Sequence, residues 1–244
     1  MFRAALFLAV LLRVVLLRAP VLQAIAAGCC AALLLSLPLR AEPVSYFYSD
    51  LPPYEYSNAR GVAAGIGITK VRKVLTSAGF QPSFAFYSVP RGLNALQTDI
   101  DFTAVVAPTA TQRQQLKISA KPIYFAELGV VRLRSTQALT SLDQLRKHTY
   151  LALTDTRFAY LSQRPTLSDL ALTRYDVSSQ SDAYRLLING RYHYFLCYHA
   201  ANIALSNPLL TFDSFEKLPV YLVLSSQHPD ADRLMQRVNK ALSQ

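Results

Sequence analysis

Cysteine is scarce in this sequence, and its distribution argues against disulfide chemistry. Only three cysteines are present, and two of them, Cys29 and Cys30, lie within the first 41 residues. If that segment is removed, Cys197 is left alone and no internal disulfide can form. Cys197 lies in the apolar run Tyr194–Tyr198, which predicts a small buried hydrophobic side chain rather than a catalytic thiol.

Motifs of metal, nucleotide and hydrolase chemistry are also lacking. None of the four histidines forms a His-x-x-x-His pair on a predicted helix. His193, Cys197 and His199 share one face of a predicted strand, and a structural role is the commoner one for such residues. The glycines of residues 61–67 lack the spacing of a dinucleotide fingerprint, and no Gly-x-Ser-x-Gly elbow or phosphate loop occurs. We therefore predict no cofactor, no metal site and no catalytic residue.

Acidic residues are outnumbered, and the chain carries a formal net charge of +10. Residues 1–41 hold four arginines and no acid, which leaves 21 basic and 15 acidic residues, a net charge of +6, in the remainder. The basic residues are scattered, without a dense run or interleaved aromatic residues, so nucleic-acid binding is not predicted. A mildly basic surface suits anionic ligands.

The first 41 residues have the pattern of a targeting segment. Arg18 precedes the apolar stretch Ala19–Leu39, and a small residue, Ala41, follows it. A positive flank, an apolar middle and a small residue at the end predict a secretory signal peptide cleaved after Ala41, and hence a periplasmic protein. Two alternatives remain open. The stretch is long enough to span a bilayer as an uncleaved anchor, and Ala26–Cys29 resembles a lipoprotein cleavage box.

The segment Asp101–Phe125 contains the most informative group of polar residues. Its apolar run Phe102–Ala107 predicts a buried strand, and Thr109, Thr111 and Arg113 follow where that strand should end. In an open α/β sheet, hydroxyl groups and a guanidinium at the C-terminal end of a strand are suited to binding an anion. The sequence therefore predicts that Arg113 pairs with an anionic group of a ligand.

Strand-like and helix-like segments alternate along the rest of the chain, which predicts an α/β fold. Helices are predicted from apolar periodicity, and the glycine at 79 should close the first of them. The predicted strands are Val44–Tyr48, Pro82–Tyr87, Ala126–Leu133, Tyr150–Leu153, Thr173–Val177 and Val220–Leu224. The predicted helices are Ile66–Leu75, Arg91–Leu96, a helix near Ser141–Leu145, a helix capped by Ser181 or Asp182 and ending at Ile188, and Asp230–Leu242.

Several of these segments resemble the extracytoplasmic solute-binding proteins of family 3, the substrate-binding proteins of amino-acid-type ABC transporters. Asp101 stands twelve residues before Arg113, the spacing of the family pattern. Pro52–Tyr56, followed by two glycines, resembles the family's Pro-Pro-Phe-x-Phe opening. Ser119–Tyr124 resembles its Phe-Ser-x-Pro-Tyr segment with one inserted residue. The threonine of the family's turn falls on Ala110, so the arginine is kept and the hydroxyl is displaced.

The resemblance implies a type II periplasmic binding fold, in which a two-strand hinge joins two α/β lobes that close over a ligand cleft. Residues 1–41 are then the signal peptide, residues 42–127 and 221–244 form lobe 1, and residues 128–220 form lobe 2. The implied function is capture of a small polar or anionic metabolite by a monomer, for an inner-membrane permease or sensor. The alternative is an enzyme on the same scaffold, similar to cyclohexadienyl or arogenate dehydratases. It would need a carboxylic acid in the cleft, for which Asp50, Glu55 and Asp155 are available.

The candidate ligand-binding residues lie in loops that should face the cleft. Relatives often stack an aromatic residue of the first loop on the ligand. The free N–H groups of a helix predicted to begin at Asp155 or Thr156 can hold an anionic group. The complete set of candidates is Asp50, Tyr54, Tyr56, Thr109, Thr111, Arg113, Thr154, Thr156, Asp182 and Tyr198.

The resemblance also bears on the ligand class. Amino-acid binders of the family hold the α-ammonium with an aspartate of lobe 2, and counting from Gly190 that position is Tyr198. A phenol lacks the fixed negative charge that a desolvated ammonium needs. Asp182 is the other possible source of that charge. We therefore expect a ligand other than an ordinary α-amino acid, either a small organic anion or an aromatic or polar molecule stacked on Tyr54, Tyr56 or Tyr198.

Overall fold

The computed structural model describes residues 41–154, 156, 158, 161, 164, 167, 170 and 173–244. The predicted signal peptide, apart from Ala41, lies outside these residues, as do Asp155 and Arg157. Residues 42–244 form one unit by their contacts. Within the described residues, no helix combines the length and the apolar character needed to cross a membrane.

Strands and helices alternate as predicted, and the α/β class is confirmed. The strands of the described residues are β1 (Glu42–Tyr48), β2 (Tyr56–Ser57), β3 (Ala63–Ala64), β4 (Phe80–Phe86), β5 (Thr103–Val106), β6 (Leu116–Ile118), β7 (Tyr124–Leu133), β8 (Tyr150–Leu153), β9 (Arg174–Val177), β10 (Phe195–His199) and β11 (Leu210–Ser225). The helices are α1 (Ile66–Ser77), α2 (Val89–Ala95), α3 (Ala110–Gln115), α4 (Leu142–Leu145), α5 (Gln180–Ile188) and α6 (Ala231–Ala241).

One sheet runs through both halves of the described chain in the order β5-β11-β7-β10-β8-β9, and β6 also pairs with β11. β1 pairs in parallel with β4. A parallel bridge from Tyr46 to Phe102 places this pair beside β5. β8 pairs in parallel with both β9 and β10. Parallel strands point the same way, so the C-terminal ends of β1 and β5 lie close together, as do those of β8 and β9. The loops that follow these ends can carry functional side chains.

The two longest strands, β7 and β11, join the halves of this sheet. They run antiparallel from Leu210 opposite Leu133 to Val220 opposite Tyr124, with a bulge between Ser214 and Glu216. Beyond that point β11 pairs with β5 and β6. The predicted return strand is thus much longer than Val220–Leu224. The lobe boundaries after residues 127 and 220 stay a prediction.

The helix caps follow local side-chain chemistry, with one correction to the sequence analysis. The N-cap of α5 is Ser179 rather than Ser181 or Asp182, because the Ser179 hydroxyl accepts a hydrogen bond from the Asp182 N–H at 3.1 Å. Asp182 lies in the first turn instead, where its carboxylate is favoured by the helix dipole. Gly79 follows α1 with a φ of 81°, as expected of a residue that ends a helix.

Two groups of buried apolar side chains each support one half of the sheet, and a further group contains residues of both halves. α1 and α6 pack on β1 through residues such as Val71, Leu234 and Val238. α5 packs on β8 and β10 through Leu187 and its neighbours, and Cys197 belongs to this second group. Cys197 is therefore a buried hydrophobic residue, as predicted. No group of three or more metal-ligating side chains occurs among the described residues.

A largely buried ion pair joins β7 to β11 near the Leu133–Leu210 end of their pairing. Arg132 Nε donates to Asp213 Oδ2 at 2.6 Å and Arg132 Nη2 donates to Asp213 Oδ1 at 3.0 Å. Arg132 Nη1 also donates to the carbonyl oxygens of Leu133 and Thr136. The Leu139 N–H donates to Asp213 Oδ2 at 3.0 Å. Both charges are thus compensated within the fold, as buried charges must be.

The first residue of β1 makes an ion-pair network with α6. Both Arg233 Nη atoms donate to the carboxylate of Glu42, at 2.8 and 2.7 Å, and Arg237 donates to it as well. These contacts, above all the hydrogen bonds from Arg233, lower the pKa of Glu42 to about 2. The network attaches the start of the predicted mature chain to its final helix.

We expect Glu42→Gln to lower the free energy of unfolding by about 1 kcal/mol at pH 7, because the pair is partly exposed to solvent. A depressed pKa means that this contribution is present above pH 4.5 and is lost as the pH falls from about 4.5 to about 2. Urea unfolding of both proteins at pH 7 and pH 3 measures the difference. A difference that persists unchanged at pH 3 would contradict the assignment.

Candidate functional site

A cavity of about 430 Å³ opens at the C-terminal ends of the strands. This volume falls in the usual range of small-molecule sites, about 300–1,000 Å³. The lining residues that precede β6 are Phe47, Ser49, Asp50, Leu51, Glu55, Phe86, Tyr87, Ser88, Val89, Leu93, Thr103, Ala104, Val105, Val106 and Gln112. The later part of the chain contributes Tyr124, Leu153, Thr154, Thr156, Ser178, Tyr198 and Val220.

Several polar lining residues directly follow strand ends. Ser49 and Asp50 come after β1, Thr154 comes after β8, and Ser178 comes after β9. Open α/β sheets bind their ligands at this edge, where loops present side chains and free backbone groups. The location of the cavity therefore fits a ligand site by topology as well as by volume.

Part of the cavity lining is apolar. We call four of these residues, Phe47, Phe86, Val89 and Leu93, the apolar wall. Phe86 is 55% exposed and Leu93 is 40% exposed, so much of the wall faces solvent. Burial of such surface by a ligand is favourable at roughly 25 cal/mol per Å². The wall is thus suited to the hydrocarbon part of a ligand.

Glu55 is a carboxylic acid buried beside the cavity, and its side chain is only 6% exposed. The Tyr46 hydroxyl donates to Glu55 Oε1 at 2.6 Å, and the Tyr124 hydroxyl interacts with the same carboxyl. Burial raises the pKa of Glu55 to about 7, although the interactions with both hydroxyls act in the opposite direction. The carboxyl group therefore changes its charge near neutral pH.

Asp50 is the second acid of the cavity. It follows β1 in the loop that leads to the backbone bridge between Leu51 and Glu55. Partial burial raises the pKa of Asp50. All the charged side chains that line the cavity within the described residues are thus acidic, although the chain as a whole is basic.

Tyr198 presents its phenol to the cavity from β10. The side chain is 5% exposed, and its ring lies 5.4 Å from the ring of Phe158. The described residues offer its hydroxyl no hydrogen-bond partner, and burial raises its pKa. The hydroxyl is not fully buried, so it is free to hydrogen-bond with a ligand.

Hydrogen bonds hold the lining loops beyond β8 in place. The Thr154 N–H and hydroxyl both donate to the Val177 carbonyl, at 3.0 and 3.1 Å. Arg174 donates to the carbonyl oxygens of Leu153 and Thr156. Thr154 and Thr156 therefore reach the cavity from a loop that is fixed to the neighbouring strand.

The structure brings together four of the ten predicted ligand-binding residues, namely Asp50, Thr154, Thr156 and Tyr198. Tyr54 lies elsewhere: it is buried and stacks on Tyr124 with ring centroids 5.5 Å apart. Its hydroxyl donates to the His199 carbonyl at 2.9 Å and accepts from the Glu127 N–H at 3.0 Å. Tyr54 thus ties the first loop to β7 and β10.

The five other candidates are also absent from the cavity lining of the described chain. Tyr56 pairs with Ala64 between β2 and β3. Thr109 caps α3 in a reciprocal pair of hydrogen bonds with Gln112. Thr111 and Arg113 are exposed, and Arg113 Cζ lies 5.9 Å from the centre of the Tyr221 ring.

Asp182 is the last of these candidates. The hydroxyls of Ser178 and Ser179 donate to its carboxylate, and so does Arg185. The hydrogen bond from Ser179 is the main reason that the pKa of Asp182 is lowered. Its carboxylate thus stabilises the start of α5.

Asp101, which carries much of the family resemblance, has a structural role. Its Oδ2 accepts hydrogen bonds from the Ser45 N–H and hydroxyl, at 2.7 and 2.9 Å. Its Oδ1 accepts from His228 Nε2 at 3.0 Å. Because the Asp230 N–H donates to His228 Nδ1, the ring proton lies on Nε2. Asp101 therefore connects β1 to the segment that precedes α6.

Sequence reasoning missed some of the lining residues. Ser49 and Ser178 directly follow predicted strands, so their positions were sufficient to identify them. Gln112 lines the cavity because its reciprocal hydrogen bonds with Thr109 fix it at the start of α3. The sequence indicates Glu55 only as an acid that an enzyme could use. No pattern in the sequence indicates that the hydroxyls of Tyr46 and Tyr124 lie beside the Glu55 carboxyl.

No protein-family model matches the sequence, and no curated protein matches it significantly. Solved structures do match the fold. A truncated, arginine-bound form of ArgBP from T. maritima has a TM-score of 0.64 at 16% identity and covers 84% of this chain and 96% of that chain. A histidine kinase sensor domain with similarity to periplasmic binding proteins has a TM-score of 0.67 at 18% identity, with coverage of 84% and 90%.

A third solved structure is an ABC uptake transporter substrate-binding protein from Streptococcus pneumoniae with bound histidine. It has a TM-score of 0.66 at 17% identity and covers 82% of this chain and 85% of that chain. Identities this low establish the fold alone. The predicted fold class, that of the type II periplasmic binding proteins, is confirmed.

Proposed function

We propose that this chain is a solute-binding protein that captures a small molecule in the cavity at the strand ends. The observation that carries the proposal is that cavity, which is lined from both halves of the chain and includes Tyr198, whose hydroxyl has no hydrogen-bond partner among the described residues. Its partner is then a membrane transporter or a membrane sensor. The similar solved structures support both possibilities, since they include transporter binding proteins and a kinase sensor domain.

The proposed location is the periplasm. It rests on the predicted signal peptide, which would leave a mature chain that starts at Glu42. The ion pairs of Glu42 with Arg233 and Arg237 show that the described fold includes this residue. Cell fractionation with N-terminal sequencing tests the location, and an intact leader in the membrane fraction would support the anchor instead.

An enzyme on this scaffold is the less favoured function. Glu55, with a pKa of about 7, has the property of a general acid. The similar solved structures named above are nevertheless a sensor domain and binding proteins. A turnover assay with prephenate-like acids separates the two, because a binding protein gives only a stoichiometric signal.

The direct test of solute binding is a thermal-shift screen of residues 42–244 against small metabolites. A ligand at 100 times its Kd adds roughly 2.7 kcal/mol to the free energy of unfolding. For a domain of this size that corresponds to an increase in Tm of roughly 5–10 °C. If a broad screen of amines, acids, sugars and amino acids produces no shift, the proposed function is wrong.

We expect Tyr198→Phe to weaken binding of a ligand found in that screen by roughly tenfold, the value of one lost hydrogen bond. The free energy of unfolding should stay unchanged, because the hydroxyl has no protein partner among the described residues. Isothermal calorimetry measures the first effect and urea unfolding measures the second.

Tyr194→Phe is the matched control. The Tyr194 hydroxyl donates to the Gln137 carbonyl at 3.0 Å and Tyr194 does not line the cavity. This variant should lose about 1 kcal/mol of stability while binding the ligand normally. If the wild type and Tyr198→Phe bind the ligand with equal affinity, the Tyr198 hydroxyl does not contact the ligand.

A further inference from the structure

We propose that the ligand is an organic cation without a carboxylate, namely a protonated amine or guanidine on an apolar body. Its charged group is held by Glu55 and Asp50, and its body lies between the apolar wall and Tyr198. This inference rests on the proposed function and specifies the chemical class that the cavity selects. It differs from the anionic ligand that Arg113 suggested in the sequence.

The charge of the cavity is the first observation. Asp50 and Glu55 both line it, and the described lining includes no lysine, arginine or histidine. Arg113 is exposed beside the ring of Tyr221. A carboxylate ligand would therefore enter next to two acids, whereas a cation would be attracted by both of them.

The surroundings of Glu55 are the second observation. Among the described residues, the groups that face its carboxyl are the hydroxyls of Tyr46 on β1 and Tyr124 on β7, and Tyr54 stacks on Tyr124. None of these groups supplies a positive charge. An ionised carboxylate has about four acceptor positions, and the Tyr46 hydroxyl occupies one of them. The remaining positions are available to N–H donors in the cavity.

Burial makes the missing counter-ion important. A buried carboxylate without an opposite charge is disfavoured, which is why the pKa of Glu55 is raised to about 7. A cation in the cavity would supply that charge and favour the ionised form. Binding should therefore strengthen with pH, by roughly tenfold between pH 6 and pH 8, as Glu55 loses its proton.

The rest of the cavity fits the body of such a ligand. Phe86 and Leu93 of the apolar wall are substantially exposed and would be covered by a hydrocarbon or aromatic group. The Tyr198 hydroxyl, which lacks a partner among the described residues, can accept one further N–H.

The test uses probes that differ mainly in charge. Calorimetry at pH 8 with residues 42–244 compares 2-phenylethylamine with L-phenylalanine and 3-phenylpropionate, and agmatine with L-arginine. We expect at least one amine to bind with a Kd at least tenfold lower than its carboxylate-bearing counterparts. The same titration at pH 6 should give roughly tenfold weaker binding of that amine.

Two variants assign the effect to the two acids. Glu55→Gln keeps the shape and removes the charge, so affinity for the amine should fall at least tenfold and its pH dependence between 6 and 8 should disappear. Asp50→Asn should weaken binding but keep the pH dependence. Glu127→Gln is the control, since Glu127 is absent from the lining and accepts a hydrogen bond from Ser214. If Glu55→Gln does not fold, Asp50→Asn and the wild-type pH profile still decide.

Each contrary result has a distinct meaning. Tighter binding of a carboxylate probe, lost in Arg113→Ala, overturns this inference and leaves the proposed function standing with an anion site. Failure of both amines to bind at millimolar concentration also overturns the inference. Only a negative result in the broad thermal-shift screen overturns the proposed function itself.

Discussion

Replacing Asp213 with alanine is expected to lower the free energy of unfolding by about 3–5 kcal/mol. The change leaves the guanidinium of Arg132, which is 9% exposed, without its opposite charge. It also removes the acceptor of the Leu139 N–H. Removal of one partner is costlier than removal of the whole pair, because the remaining charge stays buried. Urea unfolding at pH 7 measures the loss.

An exposed ion pair provides the control for this experiment. Asp232 pairs with Lys117 at 2.8 Å, but its side chain is 88% exposed. Asp232→Ala should therefore change stability by no more than about 1 kcal/mol. If the two variants lose equal stability, the special cost of the buried charge is not supported. A double variant, Arg132→Met with Asp213→Leu, should recover part of the loss by removing both charges.

The second large effect concerns Glu55 and pH. The folded-state pKa of this acid is about 7, compared with 4.5 for its ordinary value. The folded protein therefore binds the proton more strongly than the unfolded chain does. Between these two pH values its stability should fall as pH rises, by about 3 kcal/mol in total for a ligand-free protein.

Glu55→Gln isolates this contribution, because glutamine has the same shape and no titratable proton. We expect the stability of the variant relative to wild type to rise by about 3 kcal/mol between pH 4.5 and pH 7.5. Urea unfolding of both proteins across this range gives the difference at each pH. A difference that does not vary with pH would show that the folded protein leaves the pKa of Glu55 at its ordinary value.

Much of the fold was predictable because local patterns determine it. The apolar spacing of Ile68, Val71 and Leu75 predicted α1, and all three residues are buried. The length of β11 was not predictable from local apolarity. Its first part contains polar residues such as Asp213, Glu216 and Lys217, and it forms a strand because it pairs with β7. Tertiary pairing thus overrides the local signal.

Residues of the candidate site were predictable only where they directly follow the end of a predicted strand. Asp50 and Thr154 follow strand ends, and both line the cavity. Arg113 was placed by family spacing, which gives its position on a short helix but not the direction of its side chain. Successive residues of an α-helix are rotated by about 100°, so Gln112 lines the cavity while its neighbour Arg113 does not.

The pairing of the long strand β11 limits where the gene of this protein can be divided without loss of the fold. β11 pairs with β7 along one part and with β5 and β6 along another, and α6 then packs near the start of the chain. A gene cut at a single point between the halves would leave a product with exposed strand edges, which promote aggregation. Duplication or fusion of the whole segment 42–244 therefore preserves every strand pairing, whereas separation of its two halves does not.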